Sequence, residues 1–535
     1  MKNIFIIFLI ILPVASLKSQ QEFVKKYDII HYDLFLDLNM DSGNLSGINN
    51  ICFYADTTLN SIILHSKGLI IDKILCGNSN LKFELNNFKE QLKIYNSFKS
   101  KDTNSVVIYY HYDSKYRRLE NRKGFYYFRK NDNVIENIAY TMSEPSDARC
   151  WYPCWDEPND KFLADIYIRV NKDYSAASNG LLINIHNDSD TSKVFHWKVL
   201  NPISSYLVSF AVSKYSQFSH FYKKITNPND SIEIKYYFWK VDSNGYIFNA
   251  LKSFKNVPKM IENLSRIFGE YPFEKYGMAV VSPFNYGGEE HQTISTIHRD
   301  WLYGEEIGIL HELSHQWWGD LVTCKTWKDI WLNESFATYS EYLWIESNTN
   351  DKDVLLGKLA SYEKFNKDWE KAIYDPEGQG IELFSDIVYQ KGALVLHTLR
   401  NIIGDSIFFS CLKEYRKKFE YSYADTKDFI DIVNQCTNNN YQWFFDLYIY
   451  GKSYPKIKYS YVYNKKKLDV IIEQLSFNSL EYYNLPLEVQ VNSSIKTVYL
   501  DNKSEKIKVT FNSVEFPFNI ILNPNKKIFV RIEDF

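Results

Sequence analysis

The chain has 535 residues, more than one ordinary core accommodates, so several domains are expected. Hydrophobic residues make up 45% and charged residues 24%, which excludes wholesale disorder. Lys and Arg number 62 against 65 Asp and Glu, and the resulting formal charge of −3 excludes a broadly basic surface for nucleic acid.

The first twenty residues, MKNIFIIFLIILPVASLKSQ, carry one early Lys and then an apolar run from Ile4 to Leu12. That run is too short to span a bilayer and fits the apolar region of a secretory signal, with cleavage after Ser16 or Gln20. Residues 1–20 are therefore expected to be a signal peptide. The protein is expected to be exported, either periplasmic or secreted, with no stable membrane insertion. From Tyr27 the sequence alternates, with Tyr32, Leu34, Leu36 and Leu38 on one face and His31, Asp33, Asp37 and Asn39 on the other. Further strand-like runs follow at Ser61–Leu64, Val106–Tyr112, Ala164–Val170, Phe195–Val199 and Tyr206–Val212, so residues 21–242 read as an N-terminal antiparallel β domain.

Near residue 250 the apolar period lengthens to that of helices, over Ala250–Ile267 and Tyr303–Trp318 and then over several stretches between Asp351 and Tyr450. Gly451 and Pro455 end the helical pattern, and short strand-like runs fill the remaining residues to 535, enough for a small C-terminal β-sandwich at 455–535. Seven scattered cysteines are too few for a disulfide scaffold. Cys150 and Cys154 are close enough for a local disulfide, and most of the seven read as buried thiols.

Gly304–Trp344 carries the chemistry. His311 and His315 are four apart, so a helix stacks them on one face about 6 Å apart, a spacing that suits one Zn²⁺. Glu312 lies about 100° round the helix, beside the metal. Glu305 and Glu306 suit the helix N-terminus and Gly319 its C-terminal cap. A catalytic zinc takes three protein ligands and keeps one open position, and Glu334 in WLNESFATYSEY supplies the third from a second helix. Asp320 and Asp329 are candidates to orient the histidines. His31, His65, His196 and His298 are assigned to structure.

The span HELSHQWWGDLVT…WLNESFATY resembles the zinc aminopeptidase family of aminopeptidase N and leukotriene hydrolase. The resemblance implies zinc ligands at His311, His315 and Glu334, a general base at Glu312, and an eighteen-residue gap between the second His and the Glu. Asn285–Thr293, NYGGEEHQT, resembles the exopeptidase motif of that family, and Glu290 falls where a Glu holds the substrate's free α-ammonium. Gly287 and Gly288 fall where backbone approaches the peptide closely. Met142–Pro158 resembles a loop of the family's β domain in which Glu144 touches the same ammonium. In IVYQKGALVL, Tyr389 matches the Tyr that stabilises the oxyanion.

The implied architecture is α+β and multidomain, with a thermolysin-like, mostly helical zinc catalytic domain at 243–454 between the two β domains. The implied activity is hydrolysis of N-terminal residues from peptides with a free N-terminus, using one Zn²⁺ per chain; oligomeric state is left open. Two departures stand out. Glu289 replaces the usual Met of the exopeptidase motif, and His291 replaces the Asn. Glu289 either favours a basic first residue or points into solvent. A thermolysin-type endopeptidase is the nearest rival, since it shares two His and a downstream Glu but does not need Glu144 or Glu290. A lipid-mediator hydrolase on the same scaffold and a binding protein with a vestigial metal site are further alternatives.

Overall fold

The computed structural model describes residues 25–112, 123–132, 134–364, 369–376, 380–452, 454–475, 485–500 and 505–533. The expected signal segment lies outside the described residues. The alternating segment at Tyr27 forms the strand Tyr27–Asn39, with Tyr32, Leu34, Leu36 and Leu38 all buried. It sits centrally in an eight-stranded sheet, between Asn44–Ala55 on one side and Lys161–Asn171 on the other. The pairing with Lys161–Asn171 is parallel, an exception in an otherwise antiparallel sheet. Two smaller sheets complete this part. One of three strands runs through Leu59–His65, and one of four holds Ile138–Met142.

The run Tyr206–Val212, expected as a strand, instead begins in the 3₁₀ turn Ser205–Leu207, which leads into the short strand Phe210–Ser213. Every residue from Tyr206 to Val212 is buried, so the apolar run has no alternation to distinguish a strand from a packed turn.

A five-stranded mixed sheet follows in the order Ser216–Lys223, Ser231–Phe238, Tyr276–Val281, Ser295–His298 and Gly288–Glu289. It begins upstream of the expected domain boundary at 242, and its last, two-residue strand carries Glu289 into the central cleft. Ala250–Ile267 divides into the helices Ala250–Ser253 and Val257–Phe268, with Pro258 in the first turn of the second, where its missing N–H costs nothing. The helix expected over Tyr303–Trp318 is shorter, Glu306–Ser314. Beside it runs the long helix Trp331–Asn348, nearly all buried, and against that the helix Gly392–Ile403.

Gly392 permits that last packing. A Cβ there would fall 1.7 Å from Ser335 Oγ, so only glycine lets the two helices approach this closely. Beyond Tyr454 the chain forms one sheet of four strands and one of three. A single buried apolar cluster runs through all three regions. All seven cysteines, Cys150 and Cys154 included, are free thiols, and no helix among the described residues is long and apolar enough to cross a membrane.

Candidate active site

The helix Glu306–Ser314 opens with the Glu305 side chain accepting from the Gly308 N–H at 3.2 Å. This cap sets the start, so His311 falls in the last turn and His315 is the C-terminal cap residue. Gly319, expected as the cap, lies four residues further on. With φ at +136°, it turns the chain so that its N–H meets Val322 O at 2.9 Å.

His311 and His315 face Glu334, in the first turn of Trp331–Asn348. Glu334 Oε2 lies 3.3 Å from His311 Nε2 and 3.4 Å from His315 Nε2. Ligands about 2.0–2.1 Å from a tetrahedral zinc lie about 3.3–3.4 Å from one another. Both distances therefore match edges of a zinc tetrahedron, and the three ligand atoms lie within 4.8 Å of one another.

The opposite ring nitrogens are fixed. His311 Nδ1 lies 2.9 Å from Glu341 Oε1, and His315 Nδ1 lies 2.9 Å from Trp318 O. Each contact suits a proton on Nδ1 and turns Nε2, the nitrogen a metal would take, toward Glu334. Asp320 and Asp329 do not orient the histidines. Asp329 Oδ1 accepts from the Thr426 N–H and hydroxyl at 2.9 and 2.7 Å, while the buried Asp320 carboxylate has no hydrogen-bond partner among the described residues. Glu341 was missed, yet it stands seven residues after Glu334, two turns along one helix face.

Burial opposes the ionisation of Glu334, but His315 and His311 outweigh it and pull its carboxyl down to about 2. Burial likewise opposes a charged His315, and Glu290 and Glu334 outweigh it, raising the imidazole to about 9. The set thus has the electrostatics of a cation site. Glu312, also buried, is pushed up to about 8 by loss of water, with the two histidines pulling the other way. Its side chain packs flush on Gly288, where a Cβ would lie 2.3 Å from Glu312 Oε1.

Gly288 and its neighbours line a cleft of about 1180 Å³ that includes Glu144, Glu289, Glu290, His311, Glu312, His315, Glu334 and Tyr389. Tyr389 stacks against His311 with ring centroids 5.9 Å apart. Burial and then Glu334 hold its phenol well above the usual range, so it stays protonated and can donate. It belongs to the π-helical turn Ile387–Lys391, which is tied down by the Ser335 hydroxyl donating to Val388 O at 2.6 Å and by Lys391 Nζ donating to Trp369 O at 2.9 Å.

Glu290 Oε1 stands 3.8 Å from His315 Nδ1 and has no hydrogen-bond partner among the described residues. Its loop is clamped by Gln316. The Gln316 amide donates to Glu290 O at 3.2 Å, and its carbonyl accepts from the Thr293 N–H at 2.8 Å. Gln316 was also missed, although it directly follows the second His.

Glu144 enters from the N-terminal region on a loop braced by the Arg149–Asp156 ion pair at 2.8 Å and by Trp151 Nε1 donating to Ser143 Oγ at 3.0 Å. Its carboxylate, with those of Glu289 and Glu290, forms a group whose ligand atoms lie within 4.8 Å of one another. His291, the other departure, is fully buried, with Nδ1 3.0 Å from Thr296 Oγ1, and burial lowers its pKa to about 3, so it is neutral.

A model of the peptidase family M1 domain matches residues 252–448, and one of the peptidase M1 N-terminal domain matches residues 29–207. Aminopeptidase N of Lactococcus lactis subsp. lactis is 26% identical over 464 residues, covering 82% of this chain and 53% of that protein. Glutamyl aminopeptidase of Sus scrofa is 26% identical over 549 residues, covering 94% and 55%. The chain thus spans little more than half the length of these curated relatives. Among solved structures, Legionella pneumophila aminopeptidase A in complex with aspartic acid superposes with a TM-score of 0.80 at 16% identity, over 96% of this chain and 60% of that one. The M1 zinc metallopeptidase from Deinococcus radiodurans superposes with a TM-score of 0.65 at 24% identity, over 77% and 91%. These likenesses establish the shared fold.

Proposed function

Because this chain belongs to the peptidase M1 family, we propose that it is a zinc aminopeptidase that removes the first residue from peptides with a free N-terminus. One observation carries the reading: the Glu290 carboxylate, its Oε1 without a hydrogen-bond partner among the described residues, lies 3.8 Å from the ring of His315, in the same cleft as Glu144. An α-ammonium and the first carbonyl share one Cα, with N–Cα about 1.46 Å and Cα–C about 1.52 Å, so an ammonium on these anchors brings the first carbonyl, and no later one, toward the His311–His315–Glu334 set. A peptide bond deeper in a chain has no cation for them, and burying the two carboxylates uncompensated is costly.

Bound by His311, His315 and Glu334, zinc supplies Lewis-acid polarisation of the scissile carbonyl and acidifies a water toward neutral pH. Glu312 accepts a proton from the attacking water and returns it to the departing amine. Tyr389 donates to the developing oxyanion, a role worth about 2.7–4 kcal/mol where such donors are removed. Gly287 and Gly288 let backbone approach the substrate, and at Gly288 even a methyl group would strike Glu312. The apolar run Ile4–Leu12 supports export.

The test is Glu312→Gln, which keeps the shape and removes the base. Turnover of aminoacyl substrates is expected to fall by about 10²–10⁴-fold with one zinc per chain retained by metal analysis. A variant that keeps most of its rate removes Glu312 from the base role.

A further inference from the structure

The third carboxylate of the group formed with Glu144 and Glu290, that of Glu289, has no part in the reaction just described. It is only 2% exposed, which excludes the reading that it points into solvent. Its Oε1 is buried without a hydrogen-bond partner among the described residues, although the residue lines the cleft. The strand pairing of Glu289 with Thr296 fixes the backbone from which the side chain departs.

The basic groups around it are already engaged. Three lysines line the cleft. Lys67 pairs with Glu90, Lys123 lies 3.8 Å from Asp147, and Lys328 lies 3.1 Å from Asp375. No lysine or arginine is left among the lining residues for Glu144, Glu289 and Glu290. A peptide N-terminus brings one positive charge to three carboxylates held within 4.8 Å of one another. His315 faces Glu290, and this one further positive charge leaves Glu289 as the carboxylate with no cation of its own.

We propose that Glu289 makes this a peptidase for basic first residues, its carboxylate receiving the ammonium of an N-terminal lysine or the guanidinium of an N-terminal arginine. This rests on the aminopeptidase reading above and adds the class of substrate to it. Because Glu289 lies within 4.8 Å of the two ammonium anchors, it serves the same substrate residue that they hold and not the next one along. Tyr126, Met142 and Tyr286 line the same cleft and offer apolar and aromatic surface to the methylene stem, while its charged head meets the carboxylate. Burial strengthens the attraction, since little water screens the pair.

The experiment compares lysyl, arginyl and norleucyl fluorogenic amides on the zinc-loaded full chain, on Glu289→Met and on the isosteric Glu289→Gln. Norleucine keeps the four-carbon stem of lysine without its charge. In the unmodified protein, kcat/KM for the lysyl and arginyl amides is expected to exceed that for the norleucyl amide at least tenfold. In both variants that ratio is expected to fall at least tenfold, and calorimetry is expected to show the same loss for binding of free L-lysine relative to L-norleucine. A ratio of one or less in the unmodified protein, or a ratio that both variants keep, overturns the role of Glu289 while leaving the aminopeptidase reading intact. Absence of turnover on all three amides by the zinc-loaded, unmodified protein overturns both.

Discussion

At the scale of single residues, the metal set is the part most legible in the sequence. His311 and His315 are related by helix geometry, while the distances of 3.3 and 3.4 Å to Glu334 come from the packing of a second helix against the first. Their supporting partners were not legible. Asp320 and Asp329 are near in sequence and chemically suitable, yet the hydrogen bonds to the ring Nδ1 atoms come from Glu341 and the Trp318 carbonyl. A backbone carbonyl leaves no trace in residue types, and Glu341 is one of several acidic residues on its helix. Glu341 is itself fixed by Lys358 Nζ at 2.7 Å, so it holds His311 in one orientation as well as one tautomer. Glu341→Gln is expected to weaken zinc binding by about 10–100-fold, read by competition with a chromogenic chelator, because the amide keeps the contact and loses the charge. Unchanged affinity would reduce Glu341 to a packing residue.

At the scale of elements, periodicity identified helices and strands well where one face was buried and poorly where everything was. The half-buried strand Tyr27–Asn39 was legible to its ends, whereas the fully buried Tyr206–Val212 was not. What the elements achieve is close approach, and glycine makes it possible at two points. Gly392 lets the Tyr389 segment lie against the helix of Glu334, and Gly288 lets the strand of Glu289 lie against Glu312. Gly288→Ala would place a methyl carbon 2.3–2.5 Å from the Glu312 side chain, so that carboxylate must move. A displacement of about 1 Å at a reacting group costs on the order of 10² in rate. The expected outcome is a fall in kcat of that size with zinc content and circular dichroism unchanged. Full activity would show that Glu312 is not confined there.

At the scale of the whole molecule, the cleft is assembled from distant parts of the chain. Glu144 comes from the N-terminal β region, Glu289 from the mixed sheet, Glu290 from the loop that follows it, and the candidate metal ligands from two helices. The parts are joined by hydrogen bonds that no local pattern announces. Asn179 Nδ2 donates to Gln292 O at 2.7 Å, and Gly180 N–H donates to Thr293 Oγ1 at 2.8 Å, fastening the Glu290 loop to the N-terminal region. Motif resemblance placed Glu144 and Glu290 in one site, but their approach to within 4.8 Å of each other and of Glu289 is a property of the assembled fold.

On the proposed reading that convergence selects a chain end, which separates it from a thermolysin-type endopeptidase with the same proposed zinc ligands. The most direct test is to incubate the zinc-loaded protein with one peptide in two forms, free and N-acetylated, and to follow the release of the first residue by mass spectrometry. Sequential release from the free peptide with the acetylated form intact is the predicted result. Comparable cleavage of the acetylated peptide would contradict it.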